Sequence, residues 1–278
     1  MPLAADANSG AGKAEVIAAE IFATIGSGRQ IAPFSARPGG LTLDEANAVA
    51  SLLRQKFTAR GEIVVGRKIG FTNRTIWPEY GVYAPNWGYM TDRTVGDLAA
   101  AKALPLQDLA EPRIEPEIVF GFARAPHAGM DEAAVLGCLD WVAHGFEIVQ
   151  SIFPHWKFTP ADTAAANAMH GALLIGPRHA VAPRAAEWLR ALPRFEIELF
   201  CNGTLADRGR ASNVIEGPVS DLLHLVQLLA QDANSPPLAT GEIVTTGTLT
   251  RAMPIAPGQT WSTKLRGIPL AGISLRFA

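Results

Sequence analysis

A single segment identifies the β-rich part of this chain, and it has the sequence Arg113-Ile114-Glu115-Pro116-Glu117-Ile118-Val119-Phe120. Side chains at positions i and i+2 of a strand share a face, so Glu115 and Glu117 are expected to point the same way. Two adjacent carboxylates among apolar residues repel each other and are costly to bury unless a cation neutralises them. The pattern therefore suggests a site for Mg²⁺ or a similar hard cation. The alternative is a solvated strand face that carries two unrelated acids.

Short strand-like segments recur outside this stretch. They lie at residues 63–69, 146–152, 173–176, 195–201 and 243–246, and two more are expected between residues 258 and 277. Apolar periodicity predicts helices at residues 14–25, 43–59, 131–143 and 221–230. Because the strands are many, short and not regularly interleaved with helices, the pattern favours an α+β fold over a doubly wound parallel sheet.

The predicted helices and strands divide the chain into three parts. Residues 1–12 are expected to be a flexible leader, and residues 13–60 an N-terminal helical lobe. Thr42 and Glu45 have the spacing of a capping box at the start of the second helix. Residues 61–278 are expected to form a β-rich catalytic domain that packs as one unit with the lobe.

Composition excludes several classes of protein. The 24 basic and 26 acidic residues give a formal charge of −2, which is unlike the basic surface of a nucleic-acid-binding protein. No apolar run approaches the roughly 20 residues that cross a bilayer, and the first residues lack the pattern of a signal peptide. Cys138 and Cys201 are too few for a disulfide framework. These features predict a cytoplasmic protein with no nucleic-acid or membrane partner.

Three further residues are candidates for the same site. Glu147 is a lone acid in an apolar strand-like segment, where it needs either a metal or a basic partner. Lys68 lies between Gly66 and Gly70, which allow a ligand to approach the backbone closely, although a surface lysine would show the same local pattern. His170 follows a loop of small polar residues, and its alternative is a structural histidine.

The ordered set of motifs resembles the 2-keto-4-pentenoate hydratase / 2-oxo-3-hexenedioate decarboxylase branch of the fumarylacetoacetate hydrolase superfamily. The likeness covers roughly residues 14–277. The matching pieces are residues 66–72, Tyr80-Gly81-Val82, residues 112–118, residues 146–149, Asp162-Thr163, Asn167, Gly171, Gly217-Pro218, residues 241–247 and residues 274–277.

This resemblance implies a mixed β-roll with a helical lobe and a homo-oligomer. It implies that Glu115, Glu117 and Glu147 bind Mg²⁺ or Mn²⁺. The expected activity is that of a lyase, a hydratase or decarboxylase, acting on a 2-oxo-alkenoate or 2-hydroxy-dienoate through a metal-bound enolate, as in aromatic-compound catabolism. The predicted catalytic residues are Lys68, Gln150 and His170, and the predicted substrate-binding residues are Arg67, Asn167, Thr246 and Gly247.

The chain departs from the family pattern around the predicted site. Asn86, Gln150 and Ala166 stand where an Asp is usual, and Met169-His170 replaces a pair of serines. These changes leave two alternatives open. One is a hydrolase of acylpyruvate-type C–C bonds in which His170 or His144 activates water. The other is a catalytically reduced homologue that binds a 2-oxo acid.

Overall fold

The computed structural model describes residues 5–278. Its helices are α1 (Ala5–Thr24), α2 (Leu43–Ala59), α3 (Trp77–Tyr80), α4 (Glu132–Leu136), α5 (Pro160–Ala165), α6 (Ala185–Ala191) and α7 (Pro218–Gln231). Its strands are β1 (Val64–Gly70), β2 (Asn86–Thr91), β3 (Val95–Asp97), β4 (Arg113–Phe122), β5 (Leu139–Val149), β6 (His170–Ile175), β7 (His179–Ala180), β8 (Glu196–Cys201), β9 (Thr204–Arg210), β10 (Ile243–Thr245), β11 (Met253–Pro254), β12 (Thr260–Arg266) and β13 (Ser274–Arg276).

Helices α1 and α2 pack against each other at the N-terminal side of the molecule. The predicted capping box is present, since the Thr42 side chain accepts from the backbone of Glu45 and the Glu45 side chain accepts from the backbone of Thr42. Apolar side chains of both helices form one buried cluster with apolar side chains of residues 152–169, a stretch that includes α5. Residues 1–4 of the expected leader lie outside the described residues, while residues 5–12 belong to α1.

The larger sheet has the strand order β2-β1-β10-β4-β5-β6-β3, with β11 and β7 as short additions to β4 and β5. It curls until β2 contacts β6, although four strands separate them in this order. Met90 of β2, Val119 of β4, and Leu173 of β6 therefore meet in one buried cluster. The face of β4 and β5 that carries odd-numbered residues of this region is thus the inside of a roll.

The opposite face of the roll is covered by a second sheet of order β13-β12-β8-β9. Ile114, Phe146 and Ile148 of the first sheet pack there against Leu199 and Trp261 of the second. Because consecutive strand residues alternate between faces, this apolar packing fixes which side chains point into the roll.

One predicted element is wrong. The expected helix at residues 131–143 ends at Leu136, and residues from Leu139 onward form β5, which pairs along its whole length with β4. Cross-strand pairing and burial outweigh the helical spacing of the apolar residues there. Within the part of the chain that the structure covers, no helix is long and apolar enough to span a membrane.

Candidate metal centre and cleft

Three glutamates converge inside the roll. Glu115 lies directly opposite Glu147 in the antiparallel pairing of β4 with β5, and Glu117 follows two residues along β4 on the same face. Each offers an oxygen, and these oxygens lie within 4.8 Å of one another. The side chains are closed off from solvent, since Glu115 is 8% exposed and Glu117 and Glu147 are 0% exposed.

Glu117 is held by a turn that follows β10. Its Oε2 accepts a hydrogen bond from the Thr245 hydroxyl and another from the backbone N–H of Gly247 at 3.0 Å. Gly247 has φ +87°, and a methyl group there would lie 2.0 Å from Thr72 Oγ1, so only glycine fits. No donor among the described residues meets the other oxygen, Glu117 Oε1.

Glu147 is held from the opposite side. Its Oε1 lies 2.8 Å from Nδ1 of His170, whose Nε2 lies 2.9 Å from the Thr94 hydroxyl. Its Oε2 lies 3.3 Å from Nζ of Lys68 but receives no hydrogen bond of good geometry from the described residues. Lys68 donates instead to the carbonyl of Ala168 at 3.0 Å.

Burial and mutual repulsion change the acid–base behaviour of the cluster. Burial, together with the Glu147 carboxylate, outweighs the attraction of Lys68 and raises the pKa of Glu115 to about 7. Burial and the two neighbouring carboxylates raise the pKa of Glu117 well above its usual range. Burial opposes ionisation of Glu147 too, but Lys68 and His170 outweigh it and hold the pKa of Glu147 below the ordinary value.

The three carboxylates fit a divalent cation as its ligands. Lys68 supplies a single positive charge for three carboxylates, so without another cation Glu115 and Glu117 keep protons near neutral pH. Glu117 Oε1 is buried without a hydrogen-bond donor, which is costly unless a ligand meets it, and Glu147 Oε2 has only the Lys68 ammonium at 3.3 Å. Carboxylate oxygens are the ligands that Mg²⁺ and Mn²⁺ prefer.

A narrow cleft leads to Glu115 and Lys68. Its remaining lining is neutral and mostly apolar, and it consists of Gly70, Phe71, Asn73, Ile76, Tyr80, Val149, Trp156, Ala168, Met169, Gly247, Thr248 and Ala252. Lys68 is the only cation among the described residues that line it. Arg113 lies behind this wall, where it donates to the Tyr80 hydroxyl at 2.6 Å and stacks 4.4 Å from the centre of the Trp156 ring.

The backbone around this cleft is strained. Four non-glycine residues of its lining have positive φ: Phe71 at 55°, Trp156 at 56°, Ala168 at 49° and Met169 at 63°. Each such residue costs on the order of 1–3 kcal/mol and persists only where surrounding contacts impose it. Strain of this kind gathers at functional sites, which favours this cleft over the other grooves of the surface.

Two predicted substrate-binding residues do not reach the cleft. The side chain of Arg67 lies on the opposite face of β1 from that of Lys68, because adjacent side chains in a strand alternate between faces. Its guanidinium pairs with Glu242. The side-chain amide of Asn167 exchanges two hydrogen bonds with the backbone of Tyr89, at 2.7 and 2.9 Å. The structure therefore places both side chains outside the cleft lining.

Gln150 and Thr246 also point away from the cleft. Gln150 follows the last residue of β5 and its amide bonds to the backbone of Ala110 and His170, at 3.3 and 3.4 Å. Thr246 donates to the carbonyl of Ile118 at 3.0 Å, so only its neighbour Gly247 lines the cleft. The structure therefore brings neither the Gln150 nor the Thr246 side chain to the cleft lining.

Neither candidate histidine lines the cleft. His144 lies on the sheet-packing side, with its ring nitrogens 2.8 Å from the Glu117 carbonyl and 2.9 Å from the Thr263 hydroxyl. Burial lowers the pKa of His144 to about 4. His170 lies behind Glu147, outside the cleft lining, and its ring contacts the Glu147 carboxylate.

The sequence did not identify the side chains that hold the glutamates in place. Thr245, which binds Glu117, and Thr94, which binds His170, were not among the predicted site residues. The aromatic wall of Phe71, Tyr80 and Trp156 was also missed. The sequence signal for that wall is the density of aromatic residues between positions 71 and 89. Trp156, which completes the wall, is distant from them in sequence.

Comparisons with known proteins find relatives that cover most of the chain. No family model matches the chain. The chain is 30% identical over 239 residues to 4-oxalocrotonate decarboxylase of Pseudomonas sp. (strain CF600), covering 85% of this chain and 86% of the relative. It is 29% identical over 254 residues to 2-hydroxyhexa-2,4-dienoate hydratase of Comamonas testosteroni, covering 91% and 94%.

Solved structures share the fold. A 4-oxalocrotonate decarboxylase from Pseudomonas putida G7, complexed with magnesium and adipate, superposes with a TM-score of 0.85 at 24% identity, covering 96% of this chain and 98% of the other. A fumarylpyruvate hydrolase from Pseudomonas aeruginosa, in complex with Mn²⁺ and pyruvate, superposes with a TM-score of 0.58 at 14% identity, covering 76% and 88%. These likenesses confirm the predicted α+β roll.

Proposed function

This chain belongs to the 2-keto-4-pentenoate hydratase / 2-oxo-3-hexenedioate decarboxylase branch of the fumarylacetoacetate hydrolase superfamily, and we propose that among these metal-dependent lyases it is a hydro-lyase. The proposed substrate is a 2-hydroxy-2,4-dienoate, in equilibrium with its 2-oxo-alkenoate form, of the kind released in the catabolism of aromatic compounds. The observation that carries the proposal is the buried cluster of Glu115, Glu117 and Glu147 beside Lys68, at the end of a neutral cleft.

The chemistry divides between the metal and the protein. A divalent cation held by Glu115, Glu117 and Glu147 would supply Lewis acidity to the substrate's carboxylate and C2 oxygen. Lys68 is buried, and the three glutamates raise its pKa against the opposing effect of burial, so it presents an ammonium group to the cleft. This charge attracts the anionic substrate and stabilises negative charge that develops near C2.

The overall reaction needs two changes in the carbon chain. First, the dienol loses its O–H proton and gains a proton at C5, which gives a 2-oxo-3-enoate. Then a water oxygen forms a bond to C4, the water loses one proton, and C3 gains one. The sum is the addition of one water molecule, and no oxidant or reductant is required. The apolar walls exclude other water molecules from these carbons.

The neutral far end of the cleft favours hydration over decarboxylation. A decarboxylase of this type must seat a second carboxylate at the far end of the substrate. Here that carboxylate would meet Phe71, Tyr80 and Trp156, because Arg113 lies outside the lining of the cleft and pairs with the Tyr80 hydroxyl and with Glu79. A buried carboxylate without a partner is strongly disfavoured, so an uncharged far end suits this cleft.

Mg²⁺ is the proposed physiological metal, with Mn²⁺ as a substitute. The same resemblance supports a homo-oligomer, whose size light scattering on a sizing column would measure. A cytoplasmic location is proposed as well, and the free thiols of Cys138 and Cys201 suit its reducing conditions. The hydrolase alternative receives no support, because His144 and His170 both face away from the cleft.

The test is a spectrophotometric assay of dienoate consumption. The purified chain is mixed with 2-hydroxypenta-2,4-dienoate and Mg²⁺, and the loss of ultraviolet absorbance is followed with and without EDTA. We expect turnover that EDTA abolishes, with a 4-hydroxy-2-oxo acid as the product. The variant Glu117→Gln should be inactive, while Glu196→Gln, which changes an exposed carboxylate on β8, should keep full activity. Absence of metal-dependent turnover of any dienoate by the wild type would refute the proposal.

A further inference from the structure

Asp221, in the first turn of α7, is a buried acid that the proposed mechanism does not use. Its side chain is fully buried, and neither carboxyl oxygen meets a hydrogen-bond donor of good geometry among the described residues. Arg74 attracts its charge only from an exposed position. An ionised carboxylate is strongly disfavoured in such surroundings, and burial raises the pKa of Asp221 well above its usual range. Asp221 therefore carries a proton near neutral pH.

The Thr72 hydroxyl is the polar neighbour of Asp221. Thr72 lies two residues after the end of β1 and is fully buried. Its hydroxyl donates its proton to the carbonyl of Thr246 at 3.1 Å, so it has no proton left for Asp221. The hydroxyl oxygen still has lone pairs that can accept a hydrogen bond. A protonated Asp221 is the donor that matches them.

Thr72 acts on the peptide group that joins Thr246 to Gly247. The carbonyl of this group accepts from Thr72, and its N–H donates to Glu117 Oε2 at 3.0 Å. Because a peptide group is planar, a hydrogen bond that fixes its carbonyl also fixes the direction of its N–H. Hydrogen bonds arranged in a chain polarise and strengthen one another. The metal-binding glutamate is thus connected to α7 through one hydroxyl and one peptide group.

We propose that Asp221 is a positioning residue for the metal centre: its protonated carboxyl donates to Thr72, and this contact orients Glu117 through the Thr246–Gly247 peptide. Every donor in the chain then points the same way, from α7 toward the carboxylate. The inference rests on the proposed metal-dependent function and deepens it, because it adds a residue remote from the cleft to those that set the affinity for the cation.

The benefit to metal binding lies in the two oxygens of Glu117. Oε2 accepts from the Thr245 hydroxyl and from the Gly247 N–H, while Oε1 has no donor among the described residues. A carboxylate whose Oε2 is held from two sides cannot turn freely, so it presents Oε1 to the cation. Groups that orient a metal ligand in this way commonly change metal affinity when they are removed.

Three substitutions test the chain without changing a metal ligand. Asp221→Asn keeps an N–H donor at similar size, Asp221→Leu removes the donor, and Thr72→Val removes the hydroxyl between Asp221 and the peptide. The measurement is the Kd of Mn²⁺ for the chelator-stripped full chain, by calorimetric titration. We expect Asp221→Asn to bind within about twofold of wild type, Asp221→Leu roughly fivefold more weakly, and Thr72→Val roughly tenfold more weakly. The double variant should bind like Thr72→Val alone, because Asp221 acts through Thr72.

Ser220→Ala is the matched control for a general loosening of α7. Ser220 precedes Asp221, and its hydroxyl donates to Glu132 of α4, away from the metal centre. This variant should bind Mn²⁺ with wild-type affinity.

Infrared difference spectroscopy of wild type against Asp221→Asn supplies a second readout, which does not depend on the folding of Asp221→Leu. The carbonyl stretch of a protonated carboxylic acid should be present in wild type and absent from the variant. Absence of this band, wild-type affinity in Asp221→Leu, or equal weakening in Asp221→Asn and Asp221→Leu would each overturn the role of Asp221 while leaving the metal centre and the hydro-lyase proposal intact. A wild-type protein without saturable Mn²⁺ binding would overturn both.

Discussion

Removing the metal should make the stability of this protein fall as the pH rises. The pKa of Glu115 is raised from 4.5 to about 7 by burial and by the neighbouring Glu147 carboxylate. The folded chain therefore holds this proton more tightly than the unfolded chain does. The stabilisation is fully present below pH 4.5 and is lost as the pH rises through 7.

The size of the effect follows from the shift. One pKa unit corresponds to about 1.4 kcal/mol, so a shift from 4.5 to about 7 corresponds to about 3 kcal/mol from Glu115 alone. Glu117, whose pKa is raised further, adds to the loss in the same direction. Glu147 does not change how the free energy of unfolding depends on pH in this range, because its lowered pKa keeps it ionised throughout.

The assay is urea unfolding of chelator-treated protein at several pH values between 5 and 8, followed by circular dichroism. The variant Glu115→Gln is the control, since its amide does not titrate while the rest of the chain does. We expect wild type to lose about 3 kcal/mol more than this variant over the range, and saturating Mg²⁺ to restore the difference. Equal pH dependence of the two chelated proteins would contradict the assignment of Glu115 as a protonated, metal-binding carboxyl.

Three further substitutions test the residues around the glutamates. Thr245→Val removes the hydroxyl that binds Glu117 and should weaken Mn²⁺ binding roughly 10- to 100-fold, measured by calorimetric titration. Arg67→Met should lower the free energy of unfolding by about 2 kcal/mol, because Glu242 loses its partner, while KM stays unchanged in a steady-state assay. His170→Ala leaves Glu147 Oε1 without its donor and should cost about 1–3 kcal/mol in urea unfolding; an unaltered stability would argue against its orienting role.

Strand alternation explains why the metal site was predictable and its surroundings were not. Glu115 and Glu117 lie two apart in an apolar strand, so their shared face follows from local geometry alone. The contact of Glu115 and Glu117 with Glu147 depends on the register of β4 with β5, which cannot be read from the sequence alone. The resemblance to a known family supplied that contact.

The same alternation explains why some predicted site residues do not line the cleft. Arg67 and Thr246 are each one residue from a group that does reach the site, Lys68 and Gly247, and one position along an extended chain reverses the direction of the side chain. The helix expected at residues 131–143 failed for another reason. Its apolar spacing fits a helix, but the residues from Leu139 onward pair with β4, and Val142 and Ala143 are fully buried there.

Mn²⁺ titration of the chelator-stripped protein, followed by electron paramagnetic resonance, tests the three-glutamate site most directly. Wild type and the exposed-carboxylate control Glu196→Gln should each bind one Mn²⁺ per chain with the same affinity. Glu117→Gln should bind at least tenfold more weakly, because it removes one of the three carboxylates. Absence of saturable binding to wild type, or equal binding to Glu117→Gln, would contradict the site.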